Sequence, residues 1–217
     1  MPPKTKILLV DDHPLVREGL ANLIHQEPDL EVCGQAAGEP QALQLIGTAQ
    51  PDLAVVDLSL EIGSGLELIK SIKAMHPAVA VLALSMHDES LYAERALRAG
   101  ARGYLMKREA ATKVIQGIRT VLGGGLFVSA KIQALLAERF VAGGAPADSP
   151  VAQLSDRELE VFQLLGRGLS TRQIADHLHV GFKTVQAYCA RIKDKLCLAN
   201  ATELLRAAMK WDTDHPE

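Results

Sequence analysis

Acidic residues able to hold a metal ion or accept a phosphoryl group follow apolar runs in the N-terminal half. Asp11 and Asp12 come directly after the run 6–10, and Asp57 follows the run 53–56. Grouped carboxylates repel one another unless a hard cation lies among them, and Mg²⁺ takes one or two carboxylates with water or phosphate oxygens. A carboxylate beside such an ion can attack phosphorus and form an acyl phosphate. These three residues therefore indicate Mg²⁺-assisted phosphoryl transfer.

Two further polar residues follow predicted strands and complete the candidate site. Ser85 comes after the strand 79–84 and Lys107 after the strand 102–106. A serine hydroxyl can donate a hydrogen bond to a phosphoryl oxygen, and a lysine supplies a cation for the same group. Each residue alone would be an ordinary cap or surface residue, so the prediction depends on the whole set.

The elements that position these residues alternate between strand and helix. Near-continuous apolar strands are typical of a parallel sheet covered on both faces. In such a sheet, ligands bind beyond the carboxyl ends of the strands, and the flavodoxin-like order 2-1-3-4-5 brings the site residues to one edge. The predicted strands are 6–10, 31–36, 53–56, 79–84 and 102–106, and the predicted helices are 15–24, 40–48, 66–75, 89–99 and 110–122.

Composition sets limits on the class of protein. The chain has 217 residues, a net charge of −3, 48% hydrophobic residues and 23% charged residues. These values are ordinary for a globular protein and exclude a mostly disordered chain. No apolar run reaches the roughly 18 residues of a membrane span, and the N-terminus shows no secretory signal. The three cysteines have no zinc or disulfide spacing, so we expect a cytosolic protein without a membrane partner.

The C-terminal third has a helical pattern and no net charge. Residues 151–217 contain nine basic and nine acidic residues, so the net charge belongs to residues 1–150. Ser155 stands three residues before Glu158, which predicts a capping box at the start of the first helix. Further helices are predicted at 170–178, 183–196 and 201–211, and the short turn containing Gly181 gives a helix-turn-helix pattern.

The third helix of this region is locally basic and predicts a nucleic-acid interface. Recognition helices place residues near their N-terminus in the major groove. Lys183, Thr184 and Lys195 would contact phosphates, whereas an amide such as Gln186 reads a base edge, most naturally adenine. The predicted DNA-binding residues are Lys183, Thr184, Gln186, Ala187, Ala190, Arg191 and Lys195, of which the two alanines could meet thymine methyl groups.

The N-terminal pattern resembles the receiver domain of bacterial two-component response regulators over about residues 5–122. The residues that carry the resemblance are Asp11, Asp12, Asp57, Ser85 and the segment Gly103–Lys107. The resemblance implies that Asp57 accepts phosphate from a sensor histidine kinase. It also implies that Asp12 binds Mg²⁺ directly, that Asp11 binds it through water, and that Asp57 takes part in the same site.

The same resemblance implies a further metal ligand and a pair of switch residues. The backbone carbonyl of Ser59 would be a ligand, and Ser85 and Tyr104 would move together on activation. The loop after the acceptor departs from the family, because Glu61 stands where proline is usual, while Gly65 is kept. A proline fixes φ in a turn, so we expect a less rigid and more acidic loop here.

Residues 153–211 resemble the DNA-binding domain of the LuxR and NarL regulators. The matching residues are Leu154–Val161, Gly168–Ser170, Ile174–Ala175, Lys183–Val185, Ile192, Lys195 and Leu196, and Gly124–Gly125 resembles the start of the family's linker. Gln186 stands where lysine is usual, Tyr188 where histidine is usual, and Gly181 where serine or threonine caps the helix. With one cation fewer, non-specific DNA affinity should be lower and less salt-dependent than in a typical relative.

Together these patterns predict a DNA-binding response regulator and not an enzyme. The predicted architecture is an α/β flavodoxin-like (βα)5 receiver domain at 1–123, a linker with a helix at 124–152, and a four-helix helix-turn-helix domain at 153–217. The expected partners are a sensor histidine kinase, promoter DNA and a second copy of the phosphorylated chain, which would form a homodimer. Leu204, Leu205 and Ala208 in the last helix are the candidate dimer face. Two alternatives stay open: a helical domain that binds a protein, and a Mg²⁺-dependent phosphohydrolase working through an aspartyl phosphate.

Overall fold

The computed structural model describes residues 3–60, 64–86, 89–141 and 150–214. The chain divides into two compact units, Met1–Glu138 and Arg139–Glu217. Glu61, which stands where the family usually has proline, and residues 142–149 of the expected linker lie outside the described residues. None of the helices in the described ranges combines the length and the apolar character needed to cross a membrane.

The N-terminal unit is built on a parallel sheet with the predicted strand order. Its strands are β1 Thr5–Val10, β2 Leu30–Ala36, β3 Leu53–Asp57, β4 Ala80–Ser85 and β5 Gly103–Met106. Their order is β2-β1-β3-β4-β5, and all neighbouring pairs are parallel. This order confirms the flavodoxin-like architecture and sets the carboxyl ends of β1, β3, β4 and β5 side by side.

Helices cover this sheet and explain why its strands are so apolar. Every residue of β3 is buried, as expected for a strand with both faces covered. The core includes Ile7, Val55 and Leu84 from the sheet and Ile118 from the last helix of the unit. The helices are α1 Pro14–His25, α2 Glu39–Ala49, α3 Gly65–Met75, α4 Glu89–Ala99 and α5 Ala110–Leu122, with a 3₁₀ turn at Lys107–Glu109 before α5.

The segment after α5 pairs with the edge of the sheet beside β5. The Tyr104 N–H donates to the Phe127 carbonyl at 2.8 Å, and the Phe127 N–H donates to the Arg102 carbonyl at 3.0 Å. Two glycines make room for the Phe127 side chain. A Cβ on Gly103 would lie 3.2 Å from Phe127 Cβ, and a Cβ on Gly117 would lie 3.1 Å from Phe127 Cδ1. Residues expected to begin the linker are thus packed on the sheet, before helix α6 Ala130–Val141.

Within the described residues 150–214 the C-terminal unit has four α-helices, as predicted. A short 3₁₀ turn at Pro150–Gln153 precedes α7 Asp156–Gly166, α8 Thr171–His177, α9 Phe182–Lys195 and α10 Ala201–Asp214. Each helix contributes fully buried side chains to a small core, which contains Leu159, Phe162, Ile174, Val185, Ile192 and Ala208.

The ends of these helices follow their capping residues. The predicted capping box is present, since Glu158 accepts from the Ser155 N–H at 2.8 Å and the Ser155 hydroxyl accepts from the Glu158 N–H. A second box, formed by Ser170 and Gln173 at the start of α8, was not predicted although the sequence contains its spacing. The left-handed residue of the turn before α9 is His179, with φ 51°, whereas Gly181 is an extended N-cap without a capping side chain.

Candidate functional site

The acidic edge of the sheet brings Asp11, Asp57 and Lys107 into contact. Asp11 is 1% exposed just after β1, and Asp57 is fully buried at the end of β3. Lys107 follows β5, and its Nζ lies 2.7 Å from Asp11 Oδ2 and 2.8 Å from Asp57 Oδ2. The topology therefore joins three predicted residues that are up to 96 positions apart in the sequence.

Asp57 is held between a backbone donor and a cation. Its Oδ1 accepts from the Ser59 N–H at 3.1 Å, and its Oδ2 accepts from Lys107 at 2.8 Å. Burial raises the pKa of Asp57 from 3.8 to about 6, against the opposing effect of Lys107. Burial would lower the pKa of Lys107, but Asp57 and Asp11 together raise it above its usual value. Near neutral pH the pair is thus a carboxylate and an ammonium, so Asp57 is in the form that can act as nucleophile.

Asp12 and His13 extend the site toward solvent. One ligand atom from each of Asp11, Asp12, His13 and Asp57 lies within 4.8 Å of the others. The ring Nδ1 atom of His13 is 2.7 Å from Asp12 Oδ1. The backbone N–H of His13 donates a hydrogen bond to Asp11 Oδ1 at 2.9 Å. Clustered carboxylate oxygens are the donor set of a hard divalent cation, so these residues fit Mg²⁺. His13 directly follows the acid pair and was not among the predicted site residues.

Two further predicted residues are buried in the strands β4 and β5 on one side of β3. Ser85 is fully buried at the end of β4, next to β3, and Tyr104 is 3% exposed in β5. Their joint movement and the role of the Ser59 carbonyl as a ligand stay predictions.

Gly65 determines how closely α3 approaches the acceptor. A Cβ at this first residue of α3 would lie 2.1 Å from the Asp57 carbonyl oxygen and 2.5 Å from Leu58 Cα. No side chain fits at those distances, because both neighbours are backbone atoms. The glycine kept in the loop after Asp57 is therefore required for the packing of the acceptor strand against α3.

The second candidate site is the exposed face of α9. Val185 and Ile192 are fully buried and fix which face turns inward. The outward side carries most of the predicted DNA-binding residues in exposed or partly exposed positions, namely Lys183, Thr184, Gln186, Ala187, Ala190 and Arg191.

Lys195, although predicted to contact phosphate, is paired within the domain. Its Nζ lies 2.7 Å from Glu158 Oε2 and donates to the Gln153 carbonyl at 3.2 Å. Glu158 is 2% exposed, so this ammonium neutralises a buried carboxylate. Its contact with phosphate stays a prediction.

The face of α10 expected to mediate dimerisation needs correction. Leu204 and Ala208 are buried at 3% and 0% exposure, so they belong to the core of the unit. Leu205 and Met209 are exposed at 41% and 51% and share a shallow groove with Thr202 and Arg206. The apolar residues of α10 cover more than one side, and the helical spacing alone did not show which side packs inward.

Comparison with known proteins gives the family of both units. Residues 7–119 match the response regulator receiver domain, and residues 152–208 match the bacterial regulatory proteins of the luxR family. The oxygen regulatory protein NreC of Staphylococcus carnosus is 36% identical over 210 residues, which cover 94% of this chain and 97% of that protein.

Solved structures give the same result. A LuxR-family two-component response regulator from Aurantimonas sp. SI85-9A1 is 36% identical, with 64% of this chain and 99% of that chain covered and a TM-score of 0.59. RcsB from Salmonella enterica serovar Typhimurium, bound to promoter P1flhDC, shares the fold at 24% identity, with 94% and 98% of the two chains covered and a TM-score of 0.66. The chain therefore belongs to the two-component response regulators, as a transcriptional regulator with a receiver domain and a LuxR-type DNA-binding domain.

Proposed function

We propose that Asp57 accepts a phosphoryl group from a sensor histidine kinase, and that this modification controls binding of the C-terminal domain to promoter DNA. The observation that supports the proposal is the buried Asp57 carboxylate, which has Lys107 2.8 Å from one oxygen and the Ser59 N–H on the other. Asp57 can therefore act as the nucleophile, and Lys107 is the cation already positioned to bind a phosphoryl oxygen.

Different residues of the chain act as the nucleophile and as the groups that bind the phosphoryl oxygens. An Asp57 oxygen forms the new bond to phosphorus while the bond from phosphorus to the donor nitrogen breaks. Lys107 would hold one phosphoryl oxygen and the Ser85 hydroxyl another. Asp11, Asp12, Asp57 and the Ser59 carbonyl would hold Mg²⁺, which when bound neutralises charge on the phosphoryl group.

The consequence of phosphorylation is a change of charge at a buried position. The phosphoryl group carries about −1.5 to −2 charges and three acceptor oxygens, which replace the single negative charge of the Asp57 carboxylate. Lys107 and Ser85 would reorient toward it, with Tyr104 moving in concert, and the altered receiver would promote a homodimer. The functional division stays at 1–123, 124–152 and 153–217, and because its partner is chromosomal DNA we place the protein in the cytoplasm.

The first test is covalent labelling. The full chain is incubated with acetyl phosphate and Mg²⁺, and its intact mass is measured. We expect one added phosphoryl group in the wild type and in Asp29→Asn, a surface-acid control, and none in Asp57→Ala. Labelling of Asp57→Ala at the normal rate would overturn the acceptor assignment, and sustained turnover of phosphate esters would indicate a phosphohydrolase instead.

The second test is selection of genomic DNA fragments by the same proteins. We expect specific fragments to be enriched by the phosphorylated wild type and not by Asp57→Ala. Equal enrichment by both would mean that Asp57 does not control DNA binding. If no fragment is enriched, the helical domain binds something other than DNA.

A further inference from the structure

The middle of the outward face of α9 carries no charge. Gln186 and Ala190 are exposed and Ala187 is partly exposed, and all three lie away from the buried Val185 and Ile192. Gln186 and Ala187 occupy the N-terminal half of the helix, which is the part of a recognition helix that contacts base edges, and Ala190 lies one turn after Gln186. We call them, with Phe182, the base-facing surface.

Phe182 extends this surface at the end of the helix. It is the first residue of α9 and is 44% exposed, and Gly181 before it offers no side chain to cover the ring. An exposed aromatic residue alone is unremarkable on a protein surface. Here Phe182 lies one helical turn before Gln186, and Ala190 lies one turn after it. The Gln186 amide therefore has an apolar side chain on either side along the helix.

The cations of α9, which are Lys183, Arg191, Lys193 and Lys195, come before Gln186 or after Ala190 in the helix. Lys195 pairs with the buried Glu158, and the Arg191 guanidinium lies 5.3 Å from the centre of the Tyr188 ring. Lys183 stands at the helix start, where a phosphate contact is favoured. Asp194 is exposed on the last turn and would repel the DNA backbone there. Guanine is most often read by arginine or lysine, and on α9 neither residue lies between Lys183 and Arg191.

We propose that α9 recognises an A·T-rich half-site, in which Gln186 pairs with adenine and thymine methyl groups contact Ala187, Ala190 and Phe182. An amide can form two hydrogen bonds with adenine in the major groove, and alanine and phenylalanine side chains are suited to the thymine methyl. This inference rests on the proposed DNA-binding function and adds the class of sequence that is bound.

The experiment begins with selection of duplexes from a random library by the full-length phosphorylated protein. Each thymine of the selected half-site is then replaced by uracil, which removes only the C5 methyl group. We expect about a fourfold loss of affinity at one or more thymines, the value of one methyl group withdrawn from apolar contact. Uracil outside the half-sites is the control and should change nothing.

Protein variants separate base recognition from general affinity. Gln186→Lys should change the preferred base from adenine to guanine at one position in each half-site. Ala199→Lys adds the same charge at an exposed site outside the helix and should leave base preference unchanged. Phe182→Ala should abolish the effect of uracil at one thymine, and because the ring is exposed the variant should remain folded, as tested by Trp211 fluorescence.

The outcomes distinguish this proposal from the function on which it rests. Specific half-sites dominated by G·C pairs, or uracil without effect at every thymine, would overturn the base preference and leave DNA binding intact. Absence of any selected sequence would overturn both. An unchanged base preference in Gln186→Lys would overturn the assignment of adenine to Gln186.

Discussion

Asp57 combines two requirements that oppose each other in a folded protein. A phosphoryl acceptor must be shielded, yet burying a carboxylate costs free energy unless a cation or hydrogen bonds offset it. Lys107 and the Ser59 N–H offset part of that cost, but the pKa of Asp57 remains raised to about 6. In the metal-free state, the residue that gives the site its chemistry therefore lowers the stability of the fold.

This cost predicts a pH dependence that can be measured. Between pH 3.8 and about 6 the folded state holds a proton on Asp57 that the unfolded state has lost. Stability therefore falls as pH rises through this window, by roughly 3 kcal/mol at most. Asp57→Asn cannot titrate, so we expect it to be about 1–3 kcal/mol more stable than wild type at pH 8 and equal to it near pH 4, in urea unfolding with EDTA followed by far-ultraviolet circular dichroism.

The surface variant Asp29→Asn serves as the control for loss of a charge. Asp29 is 59% exposed and pairs with Arg119 at 3.0 Å, so its removal should change stability by less than about 1 kcal/mol at either pH. A constant difference between Asp57→Asn and wild type from pH 4 to pH 8 would show that burial does not perturb Asp57.

The sequence predicted these residues because sheet topology limits where they can lie. Apolar strands predicted a buried parallel sheet, and the carboxyl ends of its strands had to bring Asp11, Asp57 and Lys107 to one edge. The orientation of individual side chains was not predictable in the same way. The pairing of Lys195 with Glu158 depends on how α7 and α9 pack, which helical periodicity within either helix does not specify.

At the scale of elements, that ion pair joins two helices of the DNA-binding domain. Glu158 caps α7 and is 2% exposed, whereas Lys195 lies in the last turn of α9. Burial alone would raise the pKa of Glu158, but hydrogen bonds from Lys195 and Ser155 lower it below 4.5. Its stabilising effect is therefore present above that pH and is lost as the pH falls through the lowered pKa.

Lys195→Ala should destabilise the C-terminal domain by about 1–3 kcal/mol at pH 7, because it leaves a buried carboxylate without its cation. The difference should shrink in acid as Glu158 becomes protonated. Trp211 is the only tryptophan of the chain and lies 6.2 Å from Phe162, so its fluorescence reports unfolding of this domain. Lys193→Ala is the control; an unchanged urea midpoint for Lys195→Ala would show that the pair has no structural role.

Two glycines in helices of the receiver domain provide a matched pair of substitutions. Replacement of a helical glycine by alanine raises the free energy of unfolding by about 0.5–1 kcal/mol where the methyl group is accommodated. Gly19 in α1 has no atom within 4 Å of an added Cβ, so Gly19→Ala should raise stability by that amount. Gly117→Ala would place its methyl 3.1 Å from both Leu82 and Phe127, and crowding should make it about 1–3 kcal/mol less stable than Gly19→Ala.

Thermal unfolding followed by far-ultraviolet circular dichroism compares these two variants directly. An equal increase in stability for Gly19→Ala and Gly117→Ala would mean that Phe127 moves aside without loss of stability, and that its packing beside β5 is loose. This packing escaped sequence analysis because it depends on Gly103 and Gly117 together, which lie in a strand and a helix that no local pattern joins.

At the scale of the whole molecule, the charge distribution makes assembly important for DNA binding. The C-terminal third has equal numbers of acidic and basic residues, so a single domain has little general attraction for DNA. Two linked recognition helices gain affinity because the second binding event becomes intramolecular. The exposed apolar groove on α10 is the surface that we expect to join two copies of the phosphorylated chain.

Leu205→Ser tests this expectation, with Leu204→Ser as the contrasting substitution. Because Leu205 is 41% exposed and Leu204 is 3% exposed, the first variant should fold normally, whereas the second should destabilise the domain by about 2–5 kcal/mol. We expect phosphorylated Leu205→Ser to sediment as a monomer and to lose about tenfold or more in affinity for DNA with two half-sites. Its affinity for one half-site, measured by fluorescence anisotropy, should equal that of wild type. A dimeric Leu205→Ser with full affinity for both DNAs would place the dimer contact on another surface.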